Sequence, residues 1–280
     1  MKIFVAGASG VLGRAFTRRA LADGHDLVGM TRSARGADVV AAAGAHPVVA
    51  DAFDADAVAV AVAQARPDAV VHLLTDLAGG DRTANSRLRE AGTRNLVDAA
   101  LAAGVQRMVA ESISWVYPSG TRPATEDDAL DVEAPEPRRT TIRGVAALEG
   151  AVRELPVGVV LRFGQLYGPG TWFARNGSTA DAARDGALPA TETVASFVHV
   201  EDAAAVALQA VDWPAGTWNI VDDEPAPGTA WVPVFARVLG APEPAAVTSG
   251  DIGRPVSNAR LREAGVRLLH PSWRDGLGRE

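Results

Sequence analysis

The sequence contains no cysteine. Disulfide scaffolds, thiol nucleophiles and zinc–thiolate sites are therefore excluded. Lysine is almost absent as well, because Lys2 is the only one and all other Lys/Arg positions hold arginine. Aromatic residues make up 5% of the chain, and tyrosine occurs only at Tyr117 and Tyr167. No apolar run reaches the roughly 18 residues that predict a membrane-spanning helix.

The charge balance limits the classes of binding partner that we expect. The 280 residues include 27 Lys+Arg and 34 Asp+Glu, which gives a net charge of −7. General nucleic-acid binding and polybasic membrane anchoring both need a basic surface, so we expect a small-molecule substrate and neither of those partners. The chain enters a glycine-rich loop at Gly7, too early for a signal peptide, so we expect a cytoplasmic protein. A monomer and a homodimer both remain open.

Short β-branched runs alternate with longer alanine-rich segments, which is typical of βαβ units and a parallel sheet. The runs that predict strands are Lys2–Ala8, Asp26–Arg32, Pro47–Asp51, Ala69–Thr75, Arg107–Ser112, Val157–Leu166, Ser196–Val200 and Thr217–Val221. The segments that predict helices are Val11–Ala22, Asp56–Arg66, Arg87–Ala103, Ile142–Glu154, Glu201–Val211 and Trp231–Leu239. We predict the α/β class, with a Rossmann doubly wound parallel sheet and a small C-terminal substrate lobe.

Two segments interrupt the alternation of strands and helices. Tyr117–Arg139 is rich in proline and acidic residues, and Gly168–Thr193 is rich in glycine, alanine and threonine. Both follow predicted strands at the carboxyl edge of the sheet, where ligands of open α/β sheets bind. We expect either walls or lids of a substrate site, or plain surface loops. The predicted organisation is one domain over 1–280, with a dinucleotide core at 1–165 and 195–222 and a substrate lobe at 166–194 and 223–280.

The first predicted strand runs into glycines spaced G-x-x-G-x-x-G, at Gly7, Gly10 and Gly13. Gly7 suits a tight turn, Gly10 allows the backbone to approach a pyrophosphate, and Gly13 allows a helix to pack closely on the sheet. The helix that follows presents its amino terminus to the phosphates. A strand before the loop and a helix after it favour dinucleotide binding over a merely structural turn.

The second predicted strand bears on the choice of cofactor. A carboxylate about 20 residues past the glycines receives the ribose hydroxyls of NAD, whereas an arginine accommodates the 2′-phosphate of NADP. This strand ends in Arg32 and Ser33, with Arg35 close behind and no acidic residue at the tip. We therefore predict a preference for NADP(H), with NAD(H) as the alternative if Arg32 is only a solvated strand end.

Several segments together resemble the epimerase/dehydratase-like group of extended and atypical short-chain dehydrogenases/reductases. They are GASGVLG at 7–13, Asp51-Ala52, VVHLL at 70–74, GTRNLVDAALAAGV at 92–105, VLRFGQLYGPG at 160–170, SFVHVEDAA at 196–204 and GTWNIVDDEP at 216–225. The resemblance spans nearly the whole chain. It implies a Rossmann core, a nicotinamide cofactor and a small C-terminal lobe that binds the substrate.

The glycine loop, the second strand and the resemblance together give a set of expected cofactor-binding residues. These are Gly7, Ser9, Gly10, Val11, Leu12, Gly13, Arg32, Ser33, Arg35, Asp51, Ala52, Leu73, Leu74, Thr75 and Phe163. By position, the resemblance places Asp51 and Ala52 beside the adenine, Leu73–Thr75 along the dinucleotide, and the stretch from Phe163 near the nicotinamide.

The family's catalytic group is a Ser/Thr with Tyr-x-x-x-Lys, in which the tyrosine protonates a carbonyl oxygen and the lysine lowers the pKa of that tyrosine. This sequence cannot form the pair, because its sole lysine is Lys2. Aligned on Glu149, the tyrosine position holds Thr141 and the lysine position holds Val145. The serine position holds Ile113, between two serines. The usual mechanism is therefore excluded by composition.

Ser112 and Thr141 remain as candidate catalytic residues, each with a purely structural alternative. Candidate substrate-binding residues, for which core packing is the alternative, are Ser114, Trp115, Gln165, Tyr167, Trp172, Phe173 and Phe197. The five histidines are scattered without ligand spacing, so no metal site is predicted.

We expect an NADPH-dependent ketoreductase for a bulky aromatic secondary metabolite, in which a phenol beside the ketone supplies the missing hydrogen bond. A non-catalytic NADP-binding sensor or regulator and an epimerase or isomerase are the alternatives. Consumption of cofactor, binding without consumption, and product formation at constant cofactor would distinguish the three.

Overall fold

The structure is a computed structural model that describes residues 1–76, 82–248 and 250–279. Its strands are β1 (Lys2–Ala6), β2 (Asp26–Thr31), β3 (His46–Val49), β4 (Ala69–His72), β5 (Arg107–Ile113), β6 (Val157–Phe163), β7 (Gln165–Tyr167), β8 (Val194–Ala195), β9 (Phe197–His199), β10 (Gly216–Ile220) and β11 (Ala226–Pro227).

The longer helices follow the predicted alternation. The α-helices are α1 (Val11–Ala22), α2 (Ala34–Ala42), α3 (Ala55–Ala65), α4 (Arg82–Arg87), α5 (Thr93–Ala102), α6 (Arg138–Val152), α7 (Ser178–Arg184), α8 (Val200–Gln209), α9 (Gly228–Leu239), α10 (Ala259–Glu263) and α11 (Trp273–Gly276). A π-helical segment, Leu88–Gly92, joins α4 to α5, and a 3₁₀ turn, Ala210–Asp212, follows α8.

Seven strands form the main sheet, in the order β10-β6-β5-β4-β1-β2-β3. The pairings of β1 with β2 and β4, of β2 with β3, and of β4 with β5 are all parallel. The chain builds outward from β1 to β3 and then returns to place β4 on the other side of β1. The order therefore reverses between β1 and β4, which is the switch point where such sheets bind ligands. This confirms the predicted doubly wound fold.

Most predicted elements are present, with informative differences at their ends. α1 has the predicted bounds, and the helix predicted over Arg87–Ala103 is interrupted by the π-helical segment. The strand predicted over Val157–Leu166 breaks at Gly164, and from Gln165 the chain pairs with β9 instead. A Cβ on Gly164 would lie 2.7 Å from the carbonyl oxygen of Ser196, so the position requires glycine. α2 was not among the predicted helices.

The chain divides into two compact units. The first comprises Met1–Ser112, Asp131–Leu161 and Ala204–Thr217, and the second comprises Ile113–Leu130, Arg162–Ala203 and Trp218–Glu280. The boundaries differ from the predicted core and lobe, because the segments after β5 and β6 belong to the second unit. Each unit has its own apolar core. Among the described residues, no helix is long and apolar enough to cross a membrane.

The core of the first unit explains how its helices are held. α3 buries Val58, Ala61, Val62 and Ala65, the i, i+3, i+4, i+7 stripe of an amphipathic helix. β4 is buried along its whole length, as expected for a strand of a parallel sheet covered on both faces. The rigid sheet therefore places the loops that follow β1, β2 and β4 at its carboxyl edge.

Candidate functional site

The glycine loop after β1 is shaped by close backbone contacts. Gly7 has φ of 93°, in the left-handed region, and a Cβ on it would lie 2.4 Å from the carbonyl oxygen of Leu73. A Cβ on Gly13 would lie 2.1 Å from the carbonyl oxygen of Gly7. Neither position tolerates a side chain without moving backbone, so the turn and the close packing of α1 both require glycine.

Gly10 differs from the other two glycines of the loop. A Cβ on Gly10 would approach only the carbonyl oxygen of Gly7, at 3.2 Å. Gly10 is also the N-cap of α1, where no side chain accepts a hydrogen bond from the first turn. By contrast, Ser33 caps α2 and Asp54 caps α3. The first turn of α1 thus offers backbone N–H groups and a positive helix end to an anion, as a pyrophosphate requires.

The end of β2 carries the groups expected to select the cofactor. The Arg32 guanidinium is largely exposed, and its Nη1 lies 3.5 Å from Oδ2 of Asp76. The hydroxyl of Ser33 accepts a hydrogen bond from Gly36 N at 3.1 Å, so it is used in capping α2. Arg35 is exposed in the first turn of that helix. Sequence reasoning missed Asp76, because it follows β4 and meets Arg32 only in the folded chain.

Two further residues support this corner of the first unit. The hydroxyls of Ser9 and Thr31 are 3.0 Å apart, which ties the glycine loop to the end of β2. A Cβ on Gly36 would lie 2.0 Å from Oγ1 of Thr31 and 3.1 Å from Oγ of Ser9. Gly36 is therefore a fourth glycine that the site depends on, outside the G-x-x-G-x-x-G pattern.

The remaining expected dinucleotide residues of the first unit are held mainly through backbone. Asp51 Oδ1 accepts from Phe53 N at 2.9 Å, and the carbonyl of Ala52 accepts from Asn95 Nδ2 at 2.9 Å. Leu12 and Leu73 are buried, whereas Val11, Leu74 and Thr75 keep some exposed surface. Their expected contacts with cofactor stay predictions.

His72, at the end of β4, fixes the loop that follows it. Its Nδ1 accepts from the backbone N–H of Leu74 at 3.2 Å, so the proton is on Nε2, which donates to Oγ1 of Thr93 at 2.8 Å. Burial, with a smaller contribution from the nearby Arg89, lowers the pKa of His72 to about 4. The imidazole is therefore neutral and positions Leu74.

Ser112, near the end of β5, lies in a buried polar chain. Its hydroxyl donates to Oε1 of Glu149 on α6 at 2.9 Å. Arg153 Nη2 donates to the other oxygen of Glu149 at 2.9 Å and to Oγ1 of Thr217 at 3.1 Å. Glu149 has no exposed surface. The Ser112 hydroxyl therefore joins β5 to α6 through Glu149, and its candidate catalytic role stays a prediction.

The helix α6 carries the positions of the family's tyrosine and lysine. Thr141 is 6% exposed and Val145 is fully buried. Lys2 begins β1, at the amino end of the strand, where its Nζ lies 3.8 Å from Oδ2 of Asp26. Lys2 therefore lies at the opposite end of β1 from the glycine loop and does not substitute for the missing lysine.

A second buried polar group in the first unit has no counterpart in the sequence analysis. Arg89, in the π-helical segment, is 5% exposed, and its Nη1 has no hydrogen-bond partner among the described residues. Burial lowers its pKa, and attraction to Glu111 on β5 raises it. Burial raises the pKa of Glu111 to about 7, against the opposing effect of Arg89. A π-helical turn is the signal that could have directed attention here.

In the second unit, Tyr117 is part of a buried hydrogen-bonded network. Its hydroxyl donates to Oδ1 of Asn219 at 2.7 Å and accepts from Nη1 of Arg162 at 2.7 Å. Desolvation raises the pKa of Tyr117, so its phenol stays neutral. Ser114 is buried, and its backbone N–H donates to the carbonyl of Phe163 at 2.8 Å.

The candidate substrate aromatics of the second unit fall into two groups. Tyr167, Phe173 and Phe197 are buried in its core, where Phe173 and Phe197 pack edge-to-face at 5.6 Å. They have almost no surface left for a ligand, so packing accounts for them. Trp115 and Trp172 are 44% and 52% exposed. Phe163 is buried, and Gln165 is partly exposed.

The second unit also contains a cluster of His199, Asp202 and His270, whose potential ligand atoms lie within 4.8 Å of one another. The rings of the two histidines stack at 3.7 Å. Asp202 already accepts from the backbone of Leu269 and from both the backbone and the ring of His270. The three hydrogen bonds to Asp202 and the stacked imidazoles hold the C-terminal segment against α8.

Comparison with known proteins decides the family. A sequence profile of the NAD dependent epimerase/dehydratase family matches residues 3–220. The chain belongs to this family. It is also 43% identical to the 3-diazoavenalumate denitrifying reductase of a Streptomyces species, over all of both chains. It is 32% identical to the UDP-glucose 4-epimerase of Mycolicibacterium smegmatis over 148 residues, which cover 48% of this chain and 46% of that protein.

Solved structures share the fold of this chain. The Bordetella bronchiseptica enzyme WbmG in complex with NAD matches with a TM-score of 0.79 and 24% identity, covering 99% of this chain and 91% of its own. The Thermus thermophilus UDP-glucose 4-epimerase in complex with NAD matches with a TM-score of 0.77 and 24% identity, covering 99% and 96%. At these identities the likeness concerns the fold alone.

The site residues fit the nicotinamide dinucleotide that the epimerase/dehydratase family uses. The cradle at Gly10 is open, and the first turn of α1 has no side-chain cap. Membership of the family and a full-length reductase relative make the protein an oxidoreductase of the short-chain dehydrogenase/reductase type. That Thr141 and Val145 occupy the tyrosine and lysine positions of this family stays a prediction from the sequence.

Proposed function

We propose that this protein is an NADPH-dependent reductase that replaces the diazo group of an aromatic compound by hydrogen and releases dinitrogen. The observation that carries this proposal is its 43% identity, over all of both chains, to a 3-diazoavenalumate denitrifying reductase. The aromatic character of the substrate follows our expectation from the sequence.

The residues at the family's catalytic positions support this chemistry over carbonyl reduction. A ketone becomes an alkoxide on hydride transfer and needs a proton donor or a positive charge. Thr141 is a poor acid, Val145 has no charge, and the Ser112 proton is committed to Glu149. Loss of dinitrogen produces a neutral leaving group, so a reaction of this kind needs neither a tyrosine nor a lysine.

The proposed reaction is balanced without any exchange of protons. A carbon–hydrogen bond forms at the carbon that bears the diazonium group as the carbon–nitrogen bond breaks. The electron pair of the broken bond leaves with dinitrogen, and the substrate gains the two electrons of the hydride. When bound, the reduced nicotinamide supplies that hydride and becomes oxidised.

The protein's part is to hold the cofactor and the substrate in the geometry for transfer. The backbone N–H groups at Gly10 and the start of α1 would hold the pyrophosphate, and Arg32 would pair with the 2′-phosphate of NADPH. Asp76 must give up its contact with Arg32 when the phosphate binds. Positioning alone is worth roughly 7–11 kcal/mol of a reaction barrier, which suits a site without acid catalysis.

Trp115 and Trp172 are the best-placed candidates to bind a flat substrate. Both are large, and both keep about half of their surface exposed. Trp115 comes just after β5, and Trp172 lies in the segment after β7. An exposed indole offers an apolar face for stacking on an arene.

The decisive experiment supplies the purified protein with an arenediazonium carboxylate and reduced cofactor deuterated at the hydride-donating carbon. We expect cofactor oxidation, dinitrogen release in equal amount, and deuterium at the carbon that lost nitrogen. Controls without protein, and with the Gly10→Ala variant, correct for direct reaction between diazonium and cofactor. Deuterium incorporation no faster than in these controls would contradict the proposal.

Parallel assays with matched aromatic ketones, with and without a neighbouring phenol, test the ketoreductase that the sequence suggests. Oxidation of NADPH only by the phenolic ketones would favour that function instead. Tight binding of NADPH without consumption of cofactor by either substrate class would favour a sensor. Product formation at constant cofactor would favour an isomerase.

A further inference from the structure

Phe53 is an exposed aromatic side chain that neither the glycine loop nor the proposed hydride transfer uses. At 37% exposure, it is the most exposed Phe, Tyr or Trp side chain that the structure describes in the first unit. It lies between β3 and α3, at the carboxyl edge of the parallel sheet. Open α/β sheets bind ligands at this edge, where an exposed ring offers a flat apolar surface to a planar group.

The turn that carries Phe53 is fixed by hydrogen bonds. The backbone N–H of Phe53 donates to Oδ1 of Asp51 at 2.9 Å, and that of Asp54 donates to the carbonyl of Asp51 at 3.0 Å. Asn95 on α5 donates to the carbonyl of Ala52 at 2.9 Å, and the side chain of Asp54 caps α3. The backbone at Phe53 is therefore held in place from both sides.

Arg87, the last residue of α4, lies over the Phe53 ring. Its guanidinium carbon is 4.6 Å from the ring centroid, which is within the range of a cation–π contact. The backbone beside the contact is close as well, because a Cβ on Gly92 would lie 3.3 Å from Cβ of Ala52. The contact of Arg87 with Phe53 thus joins the turn after β3 to the helix that follows β4.

The order of the strands indicates which part of a dinucleotide reaches this contact. The first mononucleotide half of a doubly wound sheet lies over the carboxyl ends of its first three strands. Here those strands are neighbours, in the order β1-β2-β3. The glycine loop after β1 suits the pyrophosphate and the end of β2 suits the ribose, so the base extends toward the end of β3. Phe53 is the first large apolar residue after that strand.

We infer that Phe53 stacks on the adenine of the cofactor, and that Arg87 is a positioning residue that keeps the Phe53 ring in the orientation for stacking. Stacking of bases on aromatic rings and on guanidinium planes is a general way in which proteins hold nucleobases. The inference rests on the dinucleotide binding that the proposed function requires, and it is independent of the substrate that receives the hydride.

The charges beside Phe53 favour a neutral base over a phosphate at this position. Asp51, Asp54 and Asp56 are all exposed within three residues of Phe53. Three carboxylates repel a phosphate and oppose the attraction of the single Arg87 charge. Adenine is uncharged, and its exocyclic amino group is a donor that a carboxylate oxygen can accept.

The first test measures the binding of ADP and of adenosine 2′,5′-bisphosphate, so it needs neither a substrate nor hydride transfer. Phe53→Ala should weaken both ligands by the same factor of about ten, the value of one lost base–aromatic stack. Phe53→Trp keeps a ring and should bind both ligands as the wild type does. Phe53→Leu keeps apolar bulk without a ring and should bind as weakly as Phe53→Ala.

The second test separates a positioning role of Arg87 from a direct contact with phosphate. Arg87→Ala should weaken ADP about threefold, the value of one exposed cation–π contact, and Arg87→Lys should recover most of that loss. In the Phe53→Ala background, Arg87→Ala should have no further effect, because the arginine acts through the ring. An equal loss with and without the ring would overturn the positioning role.

The third measurement observes the stack itself by proton NMR. The H2 and H8 signals of adenine should move upfield when ADP binds the wild type or Phe53→Trp, because an aromatic ring shields protons above its face. They should not do so with Phe53→Leu. Val60→Ala is the matched control, since Val60 is a 53% exposed apolar side chain on α3, and it should change neither binding nor shifts. Thermal unfolding shows whether each variant is folded.

Unchanged ADP affinity in folded Phe53→Ala, or no upfield shift with the wild type, would overturn the inference. If the Phe53 variants do not fold, the wild-type shift decides. A wild type that binds neither ADP nor NADPH would refute both the inference and the proposed function. Weaker ADP binding by Phe53→Ala, together with no reduction of diazonium compounds by the wild type, would support the inference and refute the proposed function alone.

Discussion

The two sides of the switch point in this Rossmann sheet are built in different ways. On the adenine side, at β1 to β3, the determinants are backbone: Gly7, Gly13 and Gly36 admit no Cβ. At β4 and β5, the side where we expect the nicotinamide, buried polar side chains are hydrogen-bonded to neighbouring helices: His72 to Thr93 and Ser112 to Glu149. A backbone cradle for phosphate is independent of the reaction. Substitution of the polar side chains, by contrast, can change the reaction that the site catalyses.

The largest expected effect distinguishes two glycines of the same loop. Gly13→Ala should destabilise the protein by about 3 kcal/mol or prevent folding, because its Cβ must displace backbone. Gly10→Ala should fold but lose NADPH affinity by about tenfold or more, since its Cβ occupies the space of the pyrophosphate. Urea unfolding and cofactor titration measure the two effects. Gly24, with φ of 83° and open surroundings, is the control: Gly24→Ala should cost about 1 kcal/mol. A stable Gly13→Ala variant would show that the backbone at Gly13 does not exclude a side chain, and the contrast with Gly10 would not hold.

His72, which lies on the expected nicotinamide side, should make the free energy of unfolding depend on pH. Its pKa is about 4 in the folded protein, below the ordinary value of 6.5. Protonation therefore favours the unfolded chain, and stability falls as the pH drops from about 6.5 to 4. His72→Gln should be less stable than wild type at pH 8, and this difference should shrink by about 2–3 kcal/mol at pH 4. The exposed His46→Gln is the control. If the stability difference between His72→Gln and the wild type did not change with pH, His72 would not be buried and neutral in the folded protein.

The adenine side should discriminate between the two cofactors through one ion pair. Arg32→Ala should weaken NADPH binding about 10- to 100-fold, the value of one or two charge-assisted hydrogen bonds, and leave NADH nearly unchanged. Asp76→Asn should instead strengthen NADPH binding, because it frees Arg32 from a competing carboxylate. Titration of both cofactors measures the effect. Equal losses of NADPH and NADH on Arg32→Ala would refute the assignment of the 2′-phosphate.

The smallest effect is expected at the former catalytic positions. Thr141→Ala and Ser112→Ala should each change kcat of diazonium reduction by less than about threefold, because no proton is transferred by the protein. Ser112→Ala should still cost about 1 kcal/mol of stability through the lost bond to Glu149. Steady-state kinetics beside thermal unfolding separates the two effects. A loss of 100-fold in kcat for either variant would restore acid catalysis as the mechanism.

How much of the structure could be predicted from the sequence depended on how far apart along the chain the interacting residues lie. The alternation of strands and helices, α1 and the glycine loop follow from local patterns, because hydrophobic periodicity and glycine spacing act within a few residues. The contact of Asp76 with Arg32 joins residues 44 positions apart. The burial of Tyr167, Phe173 and Phe197 depends on α9 and the C-terminal segment, so composition could not separate a core aromatic from an exposed one.

The sequence by itself determined that this protein has a dinucleotide-binding Rossmann fold and cannot use a tyrosine–lysine pair. A spacing of glycines and the presence of a single lysine are properties of the chain before it folds. Only the tertiary structure decided which polar groups on β4 and β5 are buried and to which partners they are hydrogen-bonded. Burial changes the pKa of His72 and Glu111, and burial exists only after distant strands and helices have excluded water from around them.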